Sequence, residues 1–185
     1  MRLSDVLKSI TGSNDYNEVE KENKLLNVVK KELGIRRPEP EDFLAVKYRS
    51  VLNEYDPDVQ HLKIMIEKAK REKIDPSLVL ALVAQESSFN ERAVNRNRDS
   101  VDYGYFQLND KWHKQYRSNV EKHIEAGIEH LKWCLDTANG NEQKALSRYN
   151  TGSDDSSIGK KYARMVMRKM RDISRNLKSM KGFPV

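Results

Sequence analysis

The 185-residue chain is poor in cysteine, in long apolar runs and in glycine, and each shortage excludes a class of protein. Its single cysteine, Cys134, excludes an internal disulfide bond. Cys134 lies in an apolar-patterned stretch, residues 130–135, without a neighbouring histidine and asparagine constellation, and we interpret it as a core residue rather than a nucleophile. The longest apolar run, residues 78–84, is far shorter than the roughly 20 residues that span a bilayer.

Signals for metals, cofactors and secretion are also scarce. The four histidines are scattered. His123 and His130 stand one heptad apart without an acidic partner at ligand spacing, and the chain has no glycine-rich phosphate loop. We therefore expect no metal and no cofactor. Residues 1–22 are rich in Asp and Glu and lack the basic start and apolar segment of a secretory signal peptide. The formal net charge of +6 suits an anionic partner but does not choose among nucleic acid, membrane surface and wall polymer.

Apolar periodicity predicts a mostly helical chain. Residues 19–33 have helical spacing and are followed by Gly34, a typical helix stop. Asp75-Pro76 is a strong helix start, because an N-cap acceptor is followed by proline in the first turn. The polar and aromatic stretch after Glu86 has little helical periodicity and predicts a short β or irregular insert.

A last helix is predicted from about Ile158, with an apolar stripe through Tyr162, Val166 and Met170. This helix also carries many lysines and arginines. Such a series can follow a nucleic-acid backbone, but a solvated helix face is the more usual explanation, with attraction to anionic wall polymers next. We expect no specific nucleic-acid partner.

Glu86 stands at the end of the apolar helix, and its helical face also carries Val79, Leu82 and Val83. A carboxyl group on that face loses hydration, so its pKa should rise. A carboxylic acid that stays protonated near neutral pH is what cleavage of a glycosidic bond requires, since the leaving oxygen must receive a proton. Taken alone, the same pattern more often describes a glutamate turned out to solvent.

Three ordered segments give Glu86 a context. They are Glu86-Ser87-Ser88-Phe89, Gly104-Tyr105-Phe106-Gln107-Leu108 and Arg148-Tyr149-Asn150-Thr151-Gly152. They resemble, in order, the Glu-Ser-x-Phe, Gly-Leu-Met-Gln-Ile and Ala-Tyr-Asn-x-Gly motifs of the soluble lytic transglycosylase (SLT) domain of the lysozyme-like superfamily. The resemblance covers roughly residues 57–170. It implies a mainly α, lysozyme-like (α+β) fold with a small β insert at the cleft, in which residues 56–185 form the catalytic domain and residues 1–55 a partly flexible helical appendage.

The stretch from Glu86 to Asn109 also resembles the active-site stretch of animal-type (c-type) lysozyme. By that resemblance Asp102 stands where the second carboxylate of the lysozyme stands, whereas typical lytic transglycosylases lack this acid. Lysozyme is a familiar example of two carboxylates with divided roles. The alternative interpretation of Asp102 is a turn residue that stabilises the bend before Gly104.

The resemblance implies a lytic transglycosylase that cuts peptidoglycan between N-acetylmuramic acid and N-acetylglucosamine, with Glu86 as acid and then base. One alternative is a muramidase that hydrolyses the same bond with Glu86 and Asp102. An alternative of another class is a wall-binding or structural module that keeps the fold and cuts nothing.

The other site residues follow from the same motifs. By position, Gln107 and Asn150 are expected to bind the acetamido groups of the sugars, and Tyr149 is expected to orient Glu86 and to stack on a sugar. Ser87 matches a family serine near the cleft. Tyr105 and Phe106 replace the usual Leu-Met pair and are expected to line the cleft.

The implied partner is the peptidoglycan glycan strand, so the protein is expected to act at the bacterial cell wall or in the periplasm. With no visible signal peptide, delivery is expected by a non-classical route or as a component of a virion. Candidate docking partners for residues 1–55 are a phage virion and a secretion or flagellar assembly.

Overall fold

The computed structural model of the protein describes residues 16–35, 39–113 and 119–180. Three short strands follow Glu86 in the chain: β1 (Val94–Arg96), β2 (Val101–Tyr103) and β3 (Leu108–Asn109). The helices are α1 (Tyr16–Leu33), α2 (Pro40–Val51), α3 (Val59–Arg71), α4 (Pro76–Glu86), α5 (Asp110–His113), α6 (Val120–Thr137), α7 (Glu142–Thr151) and α8 (Ser157–Ser179), with a 3-10 turn at Asn53–Tyr55. The predicted fold class, mainly α with a small β insert after Glu86, is confirmed.

Helix α4 is the central helix of the core. Its first turn is capped as expected, because the side chain of Asp75 accepts a hydrogen bond from the backbone N–H of Ser77 at 2.8 Å and Pro76 occupies the first turn. All eight residues from 77 to 84 are buried. A helix that is apolar on every side needs neighbours all round, and α3 and α8 both pack against it. Its last residue, Glu86, is thereby held at a fixed point beside the core.

The strands form an antiparallel sheet in the order β1-β2-β3. Asn95 pairs with Asp102 across β1 and β2, and Asp102 pairs with Asn109 across β2 and β3. Directly opposed residues point to the same face of a sheet. The register therefore places three polar side chains side by side close to the end of α4.

The described helices before residue 56 pack into the same core as α4. Leu25 and Val29 of α1 and Phe43 of α2 belong to one continuous apolar cluster with the residues of α4. Asp42 of α2, only 1% exposed, accepts a hydrogen bond from Lys63 of α3 at 2.5 Å, which ties the two helices together. The flexibility expected for residues 1 to about 18 stays a prediction, because most of that segment lies outside the described residues.

None of the helices in these described ranges combines the length and the apolar character needed to cross a membrane.

Candidate active site

A cleft of about 1080 Å³ opens between the end of α4, the sheet, α6 and α7. Five residues singled out in the sequence line it together, although they come from four different elements or loops. They are Glu86, Asp102, Gln107, Tyr149 and Asn150. The cleft is large enough for a ligand of several sugar rings, since typical ligand pockets measure roughly 300–1000 Å³.

Glu86 is the acidic group of this cleft that is most removed from water. Burial raises its pKa to about 7, and the negative charge of Asp102 contributes in the same direction. The hydroxyl of Tyr162 donates a hydrogen bond to Glu86 Oε1 and opposes the rise. The apolar helical face inferred for Glu86 is present, because Val79, Leu82 and Val83 are all fully buried. Near neutral pH this carboxyl group is therefore divided between its protonated and ionised forms.

Tyr162, on α8, is the side chain that holds Glu86, and sequence reasoning did not assign it this role. The sequence placed it in the apolar stripe of the last helix and gave it no role at the site. Tyr149 was expected to orient Glu86 through its hydroxyl, but that hydroxyl donates to the backbone carbonyl of Phe106 at 2.9 Å. A buried tyrosine hydroxyl needs an acceptor. A tyrosine within an apolar helical stripe was therefore the available signal for a contact of this kind.

Asp102 is held in a fixed orientation by two asparagines. Its Oδ1 accepts a hydrogen bond from Asn109 Nδ2 and its Oδ2 accepts one from Asn97 Nδ2, both at 2.7 Å. Both oxygens thus have a donor, while the side chain still lines the cleft with Glu86. The two hydrogen bonds hold the carboxylate of Asp102 in a fixed position within the cleft.

Gln107 and Asn150 line the cleft from different sides. Gln107 sits in the turn between β2 and β3 with a φ of 46°, and its Nε2 donates to the backbone carbonyls of Gly104 at 3.0 Å and Ala93 at 3.3 Å. These bonds fix the amide plane of Gln107. Asn150 lies in the last turn of α7, where its side chain is exposed.

Three residues expected at the cleft have side chains elsewhere. Phe106 is fully buried in the core, and Tyr105 is 3% exposed with its hydroxyl 2.8 Å from His61 Nδ1. The hydroxyl of Ser87 donates to the backbone carbonyl of Val83 at 3.2 Å, one turn earlier on α4. None of the three side chains lines the cleft, since each is engaged with the core or with its own helix. Their contact with substrate stays a prediction, while the structure places all three side chains away from the cleft lining.

His123 supports the turn that carries Gln107. The backbone N–H of Phe106 donates to His123 Nε2 at 3.3 Å, so the imidazole proton must reside on Nδ1. Within the described part of the chain, Nδ1 is buried without a hydrogen-bond partner. Burial lowers the pKa of His123 to about 4, and His113 adds to the effect. A Cβ at Gly104 would lie 2.6 Å from His123 Nε2, and Gly104 has a φ of 70°, so only glycine fits here.

One rim of the cleft is aromatic and basic, and the motifs gave no sign of it. Trp133 is 54% exposed and stacks on His130, with ring centroids 5.9 Å apart. The guanidinium of Arg148 lies 5.7 Å from the centroid of Trp133, and its Nε donates to Asp154 Oδ1 at 2.7 Å. Exposed tryptophan faces are suited to the apolar faces of sugar rings. Arg148, which stands where the family motif has alanine, is thus built into this rim.

Residues 63–167 match the family model described as the transglycosylase SLT domain. The match spans more than half of the chain, and the chain belongs to this family. The resemblance inferred from the three motifs is thereby confirmed. No curated protein and no solved structure matches the chain. At the level of the family, the match indicates a peptidoglycan-acting function like that of the lytic transglycosylases, which cleave glycosidic bonds.

Proposed function

We propose that the protein is a lytic transglycosylase in which Glu86 acts first as the acid and then as the base. The bond it cuts is the β-1,4 linkage between N-acetylmuramic acid and N-acetylglucosamine. The observation that carries this proposal is the buried carboxyl group of Glu86. It lines the cleft that a sugar strand can enter, and its pKa is raised to about 7. A pKa near the working pH lets one group both give and take a proton.

In the first step, Glu86 donates its proton to the glycosidic oxygen as the bond to the muramic acid anomeric carbon breaks. Tyr162 donates to Oε1, so the catalytic proton is carried on Oε2. An oxocarbenium-like centre develops on the sugar. In the second step, the ionised Glu86 removes the proton of the muramic acid 6-hydroxyl, and that oxygen closes onto the anomeric carbon. The product is a 1,6-anhydro sugar, and no water is consumed.

Hydrolysis by the same cleft is the second candidate, and a specific observation favours it. Asp102 is a second carboxylate whose two oxygens are both held by asparagine donors while it lines the cleft with Glu86. A fixed carboxylate near the acid can stabilise the oxocarbenium charge or bond to carbon, after which water completes a muramidase reaction. Mass spectrometry of the released muropeptides separates the two outcomes, since anhydro ends indicate a transglycosylase and reducing ends a hydrolase.

Replacing Asp102 with Asn tests the role of this carboxylate. The amide keeps the shape but loses the charge, so we expect the rate to fall by about 100-fold if Asp102 stabilises developing positive charge. The measurement is the rate of muropeptide release together with the proportion of anhydro ends. The matched control is Asp110→Asn, because Asp110 accepts from the backbone N–H of Val101 but does not line the cleft. An unchanged rate and product for Asp102→Asn would reduce Asp102 to a turn residue.

Replacing Tyr162 with Phe tests the orientation of Glu86. Without the donated hydrogen bond, the pKa of Glu86 should rise further, so the alkaline decline of kcat/KM should move to higher pH. Because the carboxyl is also less firmly placed, kcat should fall about tenfold. Tyr149→Phe is the control, since that hydroxyl donates to a backbone carbonyl and should leave the alkaline limb in place. A Tyr162→Phe profile identical to that of the wild type would contradict the assignment.

Substrate contacts in this proposal fall to Gln107, Tyr149 and Asn150. All three line the cleft, and the two amides have the donors and acceptors that acetamido groups require. Residues 56–185 are proposed as the catalytic domain, and all of the described residues that line the cleft belong to it. Residues 1–55 are proposed to dock the enzyme to a virion or to a secretion or flagellar assembly, and the site of action is the bacterial cell wall.

A further inference from the structure

Helix α8 carries a straight line of positive charge on its solvent side. Its exposed charged residues are all basic and follow one another in alternating steps of three and four residues along about 26 Å of helix. Side chains at this spacing lie on one face of a helix. We name this set the basic stripe: Lys161, Arg164, Arg168, Arg171, Arg175 and Lys178.

The basic stripe lies opposite the face by which α8 is attached to the protein. Ala163, Val166 and Ile173 are buried in the core, and each stands two residues after a member of the stripe. Two residues correspond to about 200° around a helix. The stripe is therefore directed away from the core, and the apolar side of α8 is already occupied.

The basic residues of α8 outside the stripe have partners within the protein. Lys160 pairs with Asp155 at 3.2 Å, and Lys169 Nζ donates to the hydroxyl of Tyr55 at 3.2 Å. In the stripe, Arg175 pairs with Asp172, while the other five have no ion-pair partner among the described side chains of residues 23–35, 39–113 and 119–180.

Like charges at these spacings repel along a helix. On other helices of the protein, a basic residue has an acidic residue four positions later: Lys132 of α6 pairs with Asp136, and Lys63 of α3 lies 3.8 Å from Glu67. A face that is merely solvated gains nothing from six cations in line. The stripe thus has the pattern of a surface that meets an external anion.

The surroundings of the stripe narrow the class of anion. Insertion into a membrane needs a free apolar face, but the apolar face of α8 is buried. Surfaces for single-stranded nucleic acid combine positive charge with aromatic side chains on which bases stack, and none of the exposed residues of α8 is aromatic. Cations repeated about every 5 Å along a line match a linear chain with phosphate charges repeated along its backbone.

We propose that the basic stripe binds a linear polyol-phosphate chain, that is, a polyanion of phosphodiesters without bases. Arginine supplies four of the six cations, and its forked guanidinium suits phosphate oxygens. The stripe begins next to Tyr162, on the helix that also holds Glu86. A bound chain would keep the enzyme at an anionic surface while the cleft remains open. This binding does not rest on the catalytic role of Glu86.

The test uses the full-length protein and a fluorescently labelled poly(glycerol phosphate) oligomer, with binding followed by fluorescence anisotropy at 50 and 200 mM salt. The test variant is the triple substitution R164Q, R168Q and R171Q, and we expect the affinity at 50 mM salt to fall on the order of 100-fold. The control triple, K31Q, K122Q and K144Q, removes the same charge from exposed residues of three other helices. We expect it to change the affinity less than threefold.

Three results would overturn the proposal. One is absence of binding by the wild type at 50 mM salt. Another is an equal loss in the two triple variants, which would show a response to net charge only. The third is binding of an oligothymidylate of equal charge as tightly as, or more tightly than, the polyol phosphate, which would make nucleic acid the partner. Far-UV circular dichroism of both variants verifies that α8 is intact, and the readout is binding, so it stands apart from any failure of catalysis.

Discussion

Replacing Glu86 with Gln should lower the rate at which the protein clears a peptidoglycan suspension by about 1000-fold. The amide cannot donate a proton to the glycosidic oxygen, and a positioned general acid contributes roughly 100- to 10,000-fold. Glu129→Gln is the matched control, because Glu129 is an exposed residue of α6 away from the cleft lining. Turbidity and muropeptide release measure the effect. If Glu86→Gln cleared as well as the wild type, Glu86 would not be the catalytic acid. If the wild type cleared nothing, the result would support the non-catalytic wall-binding alternative.

The pH profile gives a second result from the same residue. Glu86 must be protonated to act as an acid, and its pKa is raised to about 7. We therefore expect kcat/KM to decline as the pH rises through about 7, tenfold for each further pH unit. A carboxyl with an ordinary pKa would place the decline near pH 4.5. A decline located there would contradict the burial of Glu86.

Replacing Gly127 with Ala should destabilise the protein, although the same change inside a helix ordinarily stabilises it by about 0.5–1 kcal/mol. Gly127 lies in α6, where an added Cβ would stand 2.2 Å from Cγ of the Phe106 ring. Phe106 is fully buried, so the ring has little room to move. Overpacking of this kind costs roughly 1–3 kcal/mol or more, and we expect a loss of about 3 kcal/mol and a fall in Tm of about 10 °C.

Thermal and urea unfolding followed by circular dichroism measure this effect. The double variant Gly127→Ala with Phe106→Leu should lose less stability than the sum of the two single changes, because the smaller side chain makes room for the methyl group. Glu129→Ala, on the exposed side of the same helix, controls for helix propensity and should change stability by less than about 0.5 kcal/mol. A Gly127→Ala protein more stable than the wild type would show that the ring yields easily.

Local signals in the sequence were sufficient for α4 and for the place of Glu86. Capping by Asp75 and Pro76 and the apolar residues that follow act within a few turns of one helix, so the pattern identifies them. The insert after Glu86 was predicted in kind but not in detail. Its strands are two or three residues long, too short for an alternating pattern to define their register.

Contacts between distant parts of the chain were beyond that kind of inference. The bond from Tyr162 to Glu86 joins residues 76 positions apart, and it depends on how α8 packs against α4. Tyr105 and Phe106 were placed at the cleft because their motif lies there. The turn that presents Gln107 directs those two side chains into the core, where large apolar groups lose contact with water. A motif identifies a segment, whereas packing decides which side chains of the segment face the substrate.

The buried imidazole of His123 makes the folded state less stable at acidic pH. Its pKa is about 4 in the folded chain and 6.5 in an exposed histidine. Its contribution to stability is complete above pH 6.5 and is lost as the pH falls through 4, a loss of about 3 kcal/mol. Protonation would also take away the acceptor for the Phe106 N–H, and with it the support of the Gln107 turn. In the proposed mechanism Glu86 limits the chemistry from the alkaline side. We therefore expect two buried groups of opposite charge type to confine the working range to mildly acidic and neutral conditions.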